Sequence, residues 1–190
     1  MILLILLSPI YLILSFLVLI FSGWPIFFVQ RRTGYKGKIF KIYKFRTMIN
    51  GAEKMKEELM DKNEANGPVF KIRNDPRLTK IGLFLCHTGL DELPQLVNII
   101  KGEMVFIGPR PLPVNEARQI EIKYKKDRES VLPGLISPWI LNGYHKMSFE
   151  NWMEIDLDYI KMKSFRYDSR LIIKSVCFVA NLLKKELSRK

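Results

Sequence analysis

The strongest constraint on this chain lies at its start, where Ile2 to Phe21 is apolar apart from Ser8, Pro9, Tyr11 and Ser15. As a helix this run would be about 30 Å long, at ~1.5 Å per residue, roughly the thickness of bilayer hydrocarbon. It carries neither the basic start nor the small-residue cleavage site of a secretory signal. A membrane-embedded helix is therefore expected rather than a buried core helix. Ser8-Pro9 complicates a simple span, because proline removes a helix donor and crowds the preceding turn. The serine hydroxyl is a partner for the backbone carbonyl so freed. Two arrangements are compatible with these residues: a kinked span, or a helix that breaks near residue 8 and returns to the face it came from.

The segment after the apolar run is cationic. Between Arg31 and Arg46 there are seven basic residues and no acidic one, within a chain of net charge +12. By the positive-inside tendency this block assigns the body of the protein to the cytoplasmic side. The charge also calls for an anionic partner: nucleic acid, anionic lipid or a phosphorylated substrate. A nucleic-acid binder would account for the charge but not for twenty apolar residues at one end. Cys86 and Cys177 lack metal-ligand spacing and read as reduced thiols, and His87 and His145 stand alone, which argues against zinc. At 190 residues one cytoplasmic domain is expected, 23–190, behind a membrane segment, 1–22.

The fold class expected is mixed α/β and mainly helical. Runs at Ile26–Gln30 and Lys38–Phe45 flank Thr33-Gly34-Tyr35-Lys36-Gly37 and predict a β-hairpin. Ala52, Met55, Leu59 and Met60 predict a short amphipathic helix. Pro76 is expected to open a helix carrying Leu78, Ile81, Leu83 and Leu85. A second helix starts near Asp91, with Leu93, Leu96, Val97 and Ile100 at helical spacing and Gly102 as its stop. Pro94 fits only a first turn, which puts Asp91 at or near the N-cap. A strand over Met104–Ile107 leads into Gly108-Pro109-Arg110-Pro111. Helices near Asn115–Arg128, Ser148–Met162 and Asp168–Leu187 complete the chain, the last suited to lie on the protein or at the membrane interface.

Two patterns carry chemistry. A carboxylate at a helix start, such as Asp91 with Glu92 beside it, is favoured as the anion and can face a bound phosphate as nucleophile if a cation offsets the repulsion. Acidic helix starts are also ordinary caps, so the pair alone does not decide. In Gly108-Pro109-Arg110-Pro111 the prolines restrict the backbone and present a guanidinium suited to bidentate phosphate recognition. Lys44 and Arg46 alternate with aromatics and are expected on one strand face, lining a phosphate site or facing anionic headgroups.

Taken in order, these segments resemble a known family. FKIYKFRTM (40–48), NDPRLT (74–79), LDELPQL (90–96), Lys101–Glu103 and GPRP (108–111) occur in sequence, with Pro133-Gly134 and Asn142-Gly143 after them. The chain is similar to the bacterial sugar transferases, the monotopic phosphoglycosyl transferases, from Ser8 to about Lys174. The resemblance implies transfer of a sugar-1-phosphate from a UDP-sugar to undecaprenyl phosphate with release of UMP, the first membrane step of cell-surface glycan assembly. It implies Asp91 as the residue that forms a phosphosugar intermediate, Glu92 beside it, Mg²⁺ bound nearby with Asp91 as its ligand, and Lys44 and Arg110 on substrate phosphates; with the residue pattern, Arg46 and Pro111 complete the expected phosphate and substrate site. It further implies a re-entrant helix broken at Ser8-Pro9, interfacial amphipathic helices, and the cytoplasmic face of a bacterial inner membrane. Membrane lipids are then partners and nucleic acid is not; a homodimer is left open.

Three departures from the family pattern stand out. The arm ahead of Ser8 is only seven residues, Cys86 (with His87 next to it) replaces an arginine usual five residues before the nucleophile, and Tyr144 replaces the arginine of an Asn-Gly-Arg. A catalytically impaired relative that binds nucleotide sugar or polyprenyl phosphate is the alternative they leave open.

Overall fold

The computed structural model describes residues 2–72, 74–141 and 148–188. One helix, α1 (Ile2–Ser22), takes up the apolar run with Pro9 inside it. The break anticipated at Ser8-Pro9 is not an interruption, and its absence has a local cause. Pro9 has no N–H for the carbonyl of Ile5, four residues back, and Ser8 Oγ donates to that carbonyl at 2.7 Å instead. Among the described residues α1 is the one helix long and apolar enough to cross a membrane, and little of it is buried. Its contact with the body is a narrow stripe in which Leu14 and Val18 pack on Phe45 and Leu85.

The expected hairpin forms from β1 (Phe27–Thr33) and β2 (Ile39–Phe45), antiparallel with Arg31 opposite Lys41 and Phe28 opposite Lys44. Side chains alternate across a strand, so Phe40, Ile42 and Lys44 share one face while Phe45 points to the other. Phe45 meets α1, whereas Phe40 and Ile42 cluster with Met104. The amphipathic segment after it is a 3₁₀ helix, Lys54–Lys62, with Leu59 as its buried residue.

Helix α2 (Lys80–Thr88) begins four residues later than Pro76 would have it, because Thr79 accepts a bond from the Gly82 N–H and caps it. Leu78 instead forms an isolated bridge with Met48. The chain then turns at Gly89, whose φ of +75° is left-handed and suits glycine. A 3₁₀ turn, Leu90–Gln95, and a short helix α3 (Leu96–Ile100) replace the single helix expected there. β3 (Val105–Ile107) pairs in parallel with β4 (Gly134–Ile136), a strand the sequence did not signal.

Between β3 and β4 the helix anticipated over Asn115–Arg128 divides into α4 (Val114–Ala117) and α5 (Ile122–Arg128). The short α6 (Pro138–Leu141) comes after β4. Helices α7 (Phe149–Met162) and α8 (Phe165–Leu187) are each capped by a serine hydroxyl, Ser148 and Ser164. Trp139, Trp152 and Met153 form the core beneath α7, and Tyr159 and Leu171 join Ile107. α8 buries Leu171 and Ser175 and leaves Ile173 and Val176 exposed.

Candidate functional site

The site begins with a charged residue at the end of an apolar row. Lys44 continues the inward face of Phe40 and Ile42, at the point where β2 crosses the 3₁₀ turn Leu90–Gln95. The left-handed Gly89 starts that turn, so it begins one residue before Leu90 and Asp91 is not its cap. Leu90 and Leu93 pack toward α1, in the cluster of Leu14 and Val18, and Asp91 and Glu92 face β2. Lys44 Nζ lies 3.3 Å from Asp91 Oδ2 and 2.5 Å from Glu92 Oε1. Arg110 Nη2 reaches the same Glu92 oxygen at 3.1 Å. Four of the residues anticipated in separate motifs therefore meet, two cations around two carboxylates.

The two carboxyls are not equivalent. Burial raises the proton affinity of both, since a buried anion loses its hydration. At Glu92 the positive charges of Lys44 and Arg110 overcome that effect and bring its pKa down to about 2. At Asp91 burial prevails over Lys44, Glu92 adds repulsion, and the pKa is raised. The expected helix-start stabilisation of the Asp91 anion is thus outweighed by burial. Arg110 is held more firmly charged by Glu92.

Arg110 is presented by a loop with little freedom. A Cβ on Gly134 would lie 2.1 Å from Gly108 N, and one on Gly108 would lie 2.8 Å from Gly134 N. Only glycines allow this approach, in which Gly134 N donates to the Pro109 carbonyl at 2.9 Å and Gly108 N to the Ile136 carbonyl at 3.1 Å. Two arginines then take the loop's carbonyls: Arg128 Nη2 that of Arg110 at 2.8 Å, and Arg32 Nη1 that of Pro111 at 3.0 Å. Arg128 is itself paired with the buried Asp156, which also accepts from Ser137 Oγ at 3.3 Å. Burial, with the charge of Arg110, lowers the Arg32 pKa to about 10.

Arg32, Arg128 and Asp156 were not singled out from the sequence. Asp156 had a readable signal: it falls at the helical spacing of Trp152, Met153 and Tyr159, on the buried face of α7. A charge there needs a partner. Pro111, anticipated as a substrate contact, is buried and contributes its carbonyl to Arg32.

Arg46 is not brought to this cluster. β2 ends at Phe45, and the Arg46 guanidinium turns to the end of α1, donating to the carbonyls of Ser22 and Trp24 and to Asn50 Oδ1. The shared strand face anticipated for Lys44 and Arg46 therefore does not extend to Arg46. His87 Nδ1 lies 3.3 Å from Glu186 Oε1, joining α2 to the last turn of α8. Tyr144, His145 and the Asn142-Gly143 pair lie outside the described residues. Among the described residues no group of three or more His, Cys, Asp and Glu side chains forms a ready metal cage. A hard cation here would depend on Asp91 with its neighbour Glu92, completed by oxygens from substrate and water.

Residues 1–181 match the family model described as bacterial sugar transferase. Galactosyl transferase CpsE of Streptococcus agalactiae is 39% identical over 153 residues, which are 80% of this chain and 34% of that protein. The exopolysaccharide production protein ExoY of Rhizobium meliloti is 35% identical over 180 residues, 91% of this chain and 78% of ExoY. The UDP-glucose:undecaprenyl-phosphate glucose-1-phosphate transferase of Escherichia coli K12 is 35% identical over 180 residues, 91% of this chain and 36% of its own length. The chain thus spans about a third of two of these relatives and most of ExoY.

Proposed function

Since the chain belongs to the bacterial sugar transferase family, and is a transferase, we propose that it moves a sugar-1-phosphate from a UDP-sugar to undecaprenyl phosphate and releases UMP. The observation that carries this reading is the meeting of Lys44, Asp91, Glu92 and Arg110 in one cluster, with Asp91 buried and the other three partly exposed. A carboxylate nucleophile and two cations are what a diphosphate needs when it is cleaved by displacement at phosphorus.

In the first step an Asp91 carboxylate oxygen attacks the sugar-bearing phosphorus of the donor. The phosphorus–oxygen bond to the bridging oxygen breaks and UMP leaves with that oxygen and its electron pair. Asp91 then carries the sugar-phosphate as an acyl phosphate. In the second step an oxygen of undecaprenyl phosphate attacks the same phosphorus, and the Asp91 carboxylate is the leaving group. Arg110 and Lys44 bind the phosphoryl oxygens whose charge shifts during both steps. Glu92 holds these two cations beside Asp91. Two half-reactions suit a membrane enzyme, because soluble and lipidic substrates need not occupy the site together.

Asp91 with Glu92 fits Mg²⁺, which prefers one or two carboxylates, substrate phosphates and water to a full protein cage. When bound it supplies positive charge that offsets diphosphate repulsion and favours the Asp91 anion over its protonated form. On the membrane side, the basic block from Arg31 to Arg46 keeps the C-terminal end of α1 at the cytoplasmic face of the inner membrane, and a bend of the uninterrupted helix at Ser8-Pro9 would bring its N-terminal end back to that face. Exposed Ile173 and Val176 on α8, with lysines beside them, suit contact with the same interface.

The test is a transfer assay on the purified full chain with a panel of UDP-sugars, undecaprenyl phosphate and Mg²⁺. UMP release with ping-pong kinetics is expected. Donor alone should add one sugar-phosphate mass to the peptide that contains Asp91. Intersecting kinetics without an adduct would favour direct transfer, and no release with any donor would leave a binding protein.

A further inference from the structure

On the outer face of the hairpin, where Phe45 meets α1, the cross-strand pairs change character in register. Nearest α1, Phe27 lies opposite Phe45, the two rings stacked with centroids 5.4 Å apart. Val29 opposite Tyr43 comes next, and then Arg31 opposite Lys41, each pair about 7 Å beyond the last. Phe45 is covered, but Phe27 is 44% and Val29 47% exposed, and Trp24, in the link from α1, is more exposed still. Arg31 and Lys41 are exposed as well, and like charges directly opposite each other destabilise a hairpin. Lys101 adds a third cation, its Nζ 3.2 Å from Tyr43 Oη. Arg31, Lys41 and Tyr43 line a cavity of about 420 Å³ together with Ile39, Phe40 and Glu103. Glu103, the one acid in that lining, has its carboxylate engaged by Asn98 Nδ2 at 2.6 Å.

We propose that this outer face docks on the anionic surface of the bilayer, with Phe27 and Val29 at the acyl boundary and Arg31, Lys41 and Lys101 on lipid phosphates. The inference rests on the reading of α1 as a membrane helix. Continuity is the first argument for the occupant. α1 joins the hairpin on this face through Phe45 and turns the rest of its apolar surface outward, so lipid around α1 lies on the Phe27 side and not on the Lys44 side. The order of the pairs is the second: apolar, then tyrosine, then basic is how a bilayer changes from hydrocarbon to phosphate. Charge complementarity is the third, since a lipid phosphate between Arg31 and Lys41 offsets a repulsion that the hairpin otherwise bears. The cluster of Lys44 and Asp91 is on the opposite face, so docking does not cover it.

A fluorophore on Val29→Cys, with Cys86 and Cys177 replaced by serine, tests this on the full chain in vesicles. Vesicles of phosphatidylcholine alone are compared with vesicles that also contain phosphatidylglycerol. In the anionic vesicles the label should be quenched by lipids carrying a nitroxide near the headgroup and shielded from acrylamide in the aqueous phase. Arg31→Gln and Lys41→Gln should each lower the docking equilibrium about five-fold. Acrylamide reaching the label freely in both vesicle types would overturn the docking, as would nitroxide quenching that ignores phosphatidylglycerol and both charges. Shielding produced by inorganic phosphate in neutral vesicles would instead make the cavity a site for a soluble anion, and would overturn it too. In detergent the Arg31→Gln, Lys41→Gln protein should melt no lower than the natural one, because a repulsive pair is gone. A lower midpoint would make the two residues structural and sink the proposal. Alkaline carbonate extraction reads α1 separately. A natural chain washed off the vesicles would sink the membrane helix and the docking with it, whereas one that stays while its label is exposed would sink the docking alone.

Discussion

Lys44 Nζ sits 2.5 Å from Glu92 Oε1 but 3.3 Å from Asp91 Oδ2, so the lysine is committed more closely to the neighbour than to the residue assigned as nucleophile. Arg110 is committed to Glu92 as well. Asp91 is thereby left with the weaker share of positive charge in a buried position, and its proton affinity rises while that of Glu92 falls.

The first prediction concerns pH. Attack requires the Asp91 anion, and a raised pKa keeps the proton on as pH increases past the ordinary carboxylate range. Adduct formation should fall on the acid side with a midpoint above that of a free aspartate, while Glu92 stays ionised throughout. Lys44→Gln removes a charge that lowers the Asp91 pKa, so the acid limb should move to higher pH. Asp91→Asn should form no adduct at any pH, and Glu92→Gln should be impaired by releasing both cations. A pH–rate profile of adduct formation is the measurement; an acid limb unmoved in Lys44→Gln would detach that lysine from the chemistry.

Arg110 should tolerate neither loss nor replacement. Its guanidinium is fixed by Glu92 on one side and by the glycine-lined loop on the other. A charge-assisted hydrogen bond is worth about 1.5–3 kcal/mol, roughly ten- to a hundred-fold in rate if it strengthens in the transition state. Arg110→Ala should lose that much in kcat/KM, and Arg110→Lys should recover little because the planar fork is gone. Near-normal turnover in Arg110→Ala would reduce the loop to scaffolding.

Arg46 should behave as a structural residue. It donates to the carbonyls of Ser22 and Trp24, and thus ties the end of α1 to the hairpin. Arg46→Gln should lower the thermal midpoint in detergent, since each buried group left unmet costs about 1–3 kcal/mol. The KM for donor should hardly change in the protein that remains folded. An unchanged midpoint with a raised donor KM would return Arg46 to the phosphate site.

Ser8 and Pro9 should be coupled. Ser8→Ala in the natural background strands the Ile5 carbonyl, whereas with Pro9→Ala a backbone N–H is available for it. The double-mutant cycle should therefore show that Ser8→Ala costs more with Pro9 present than without it. Labelling a single cysteine near residue 2 from each side of the membrane reads the topology. Cytoplasmic labelling is expected for the natural pair and outside labelling when both residues become leucine. A natural N-terminus reached only from outside would rule out the re-entrant arrangement.

Much of this protein is determined by local patterns that a sequence displays. Twenty mostly apolar residues commit α1, period-two alternation with a glycine-bearing turn commits the hairpin, and the order of the motifs commits the family. Those features depend on near neighbours and on side-chain periodicity, so they are legible without coordinates. The resemblance also brought Lys44, Asp91, Glu92 and Arg110 forward, although Lys44 and Asp91 are 47 positions apart.

Tertiary structure decided what each charge does. Lys44 and Arg46 look alike in Tyr43-Lys44-Phe45-Arg46, yet one ends an inward row above the carboxylates and the other closes over the end of α1. Arg32 and Arg128 each donate to a carbonyl of a loop distant in sequence, and the parallel pairing of β3 with β4 that aims that loop leaves no local trace. The acidity of Asp91 was likewise not readable from its place at a helix start. It is set by burial and by three neighbouring charges, and both exist only once the chain has closed around them.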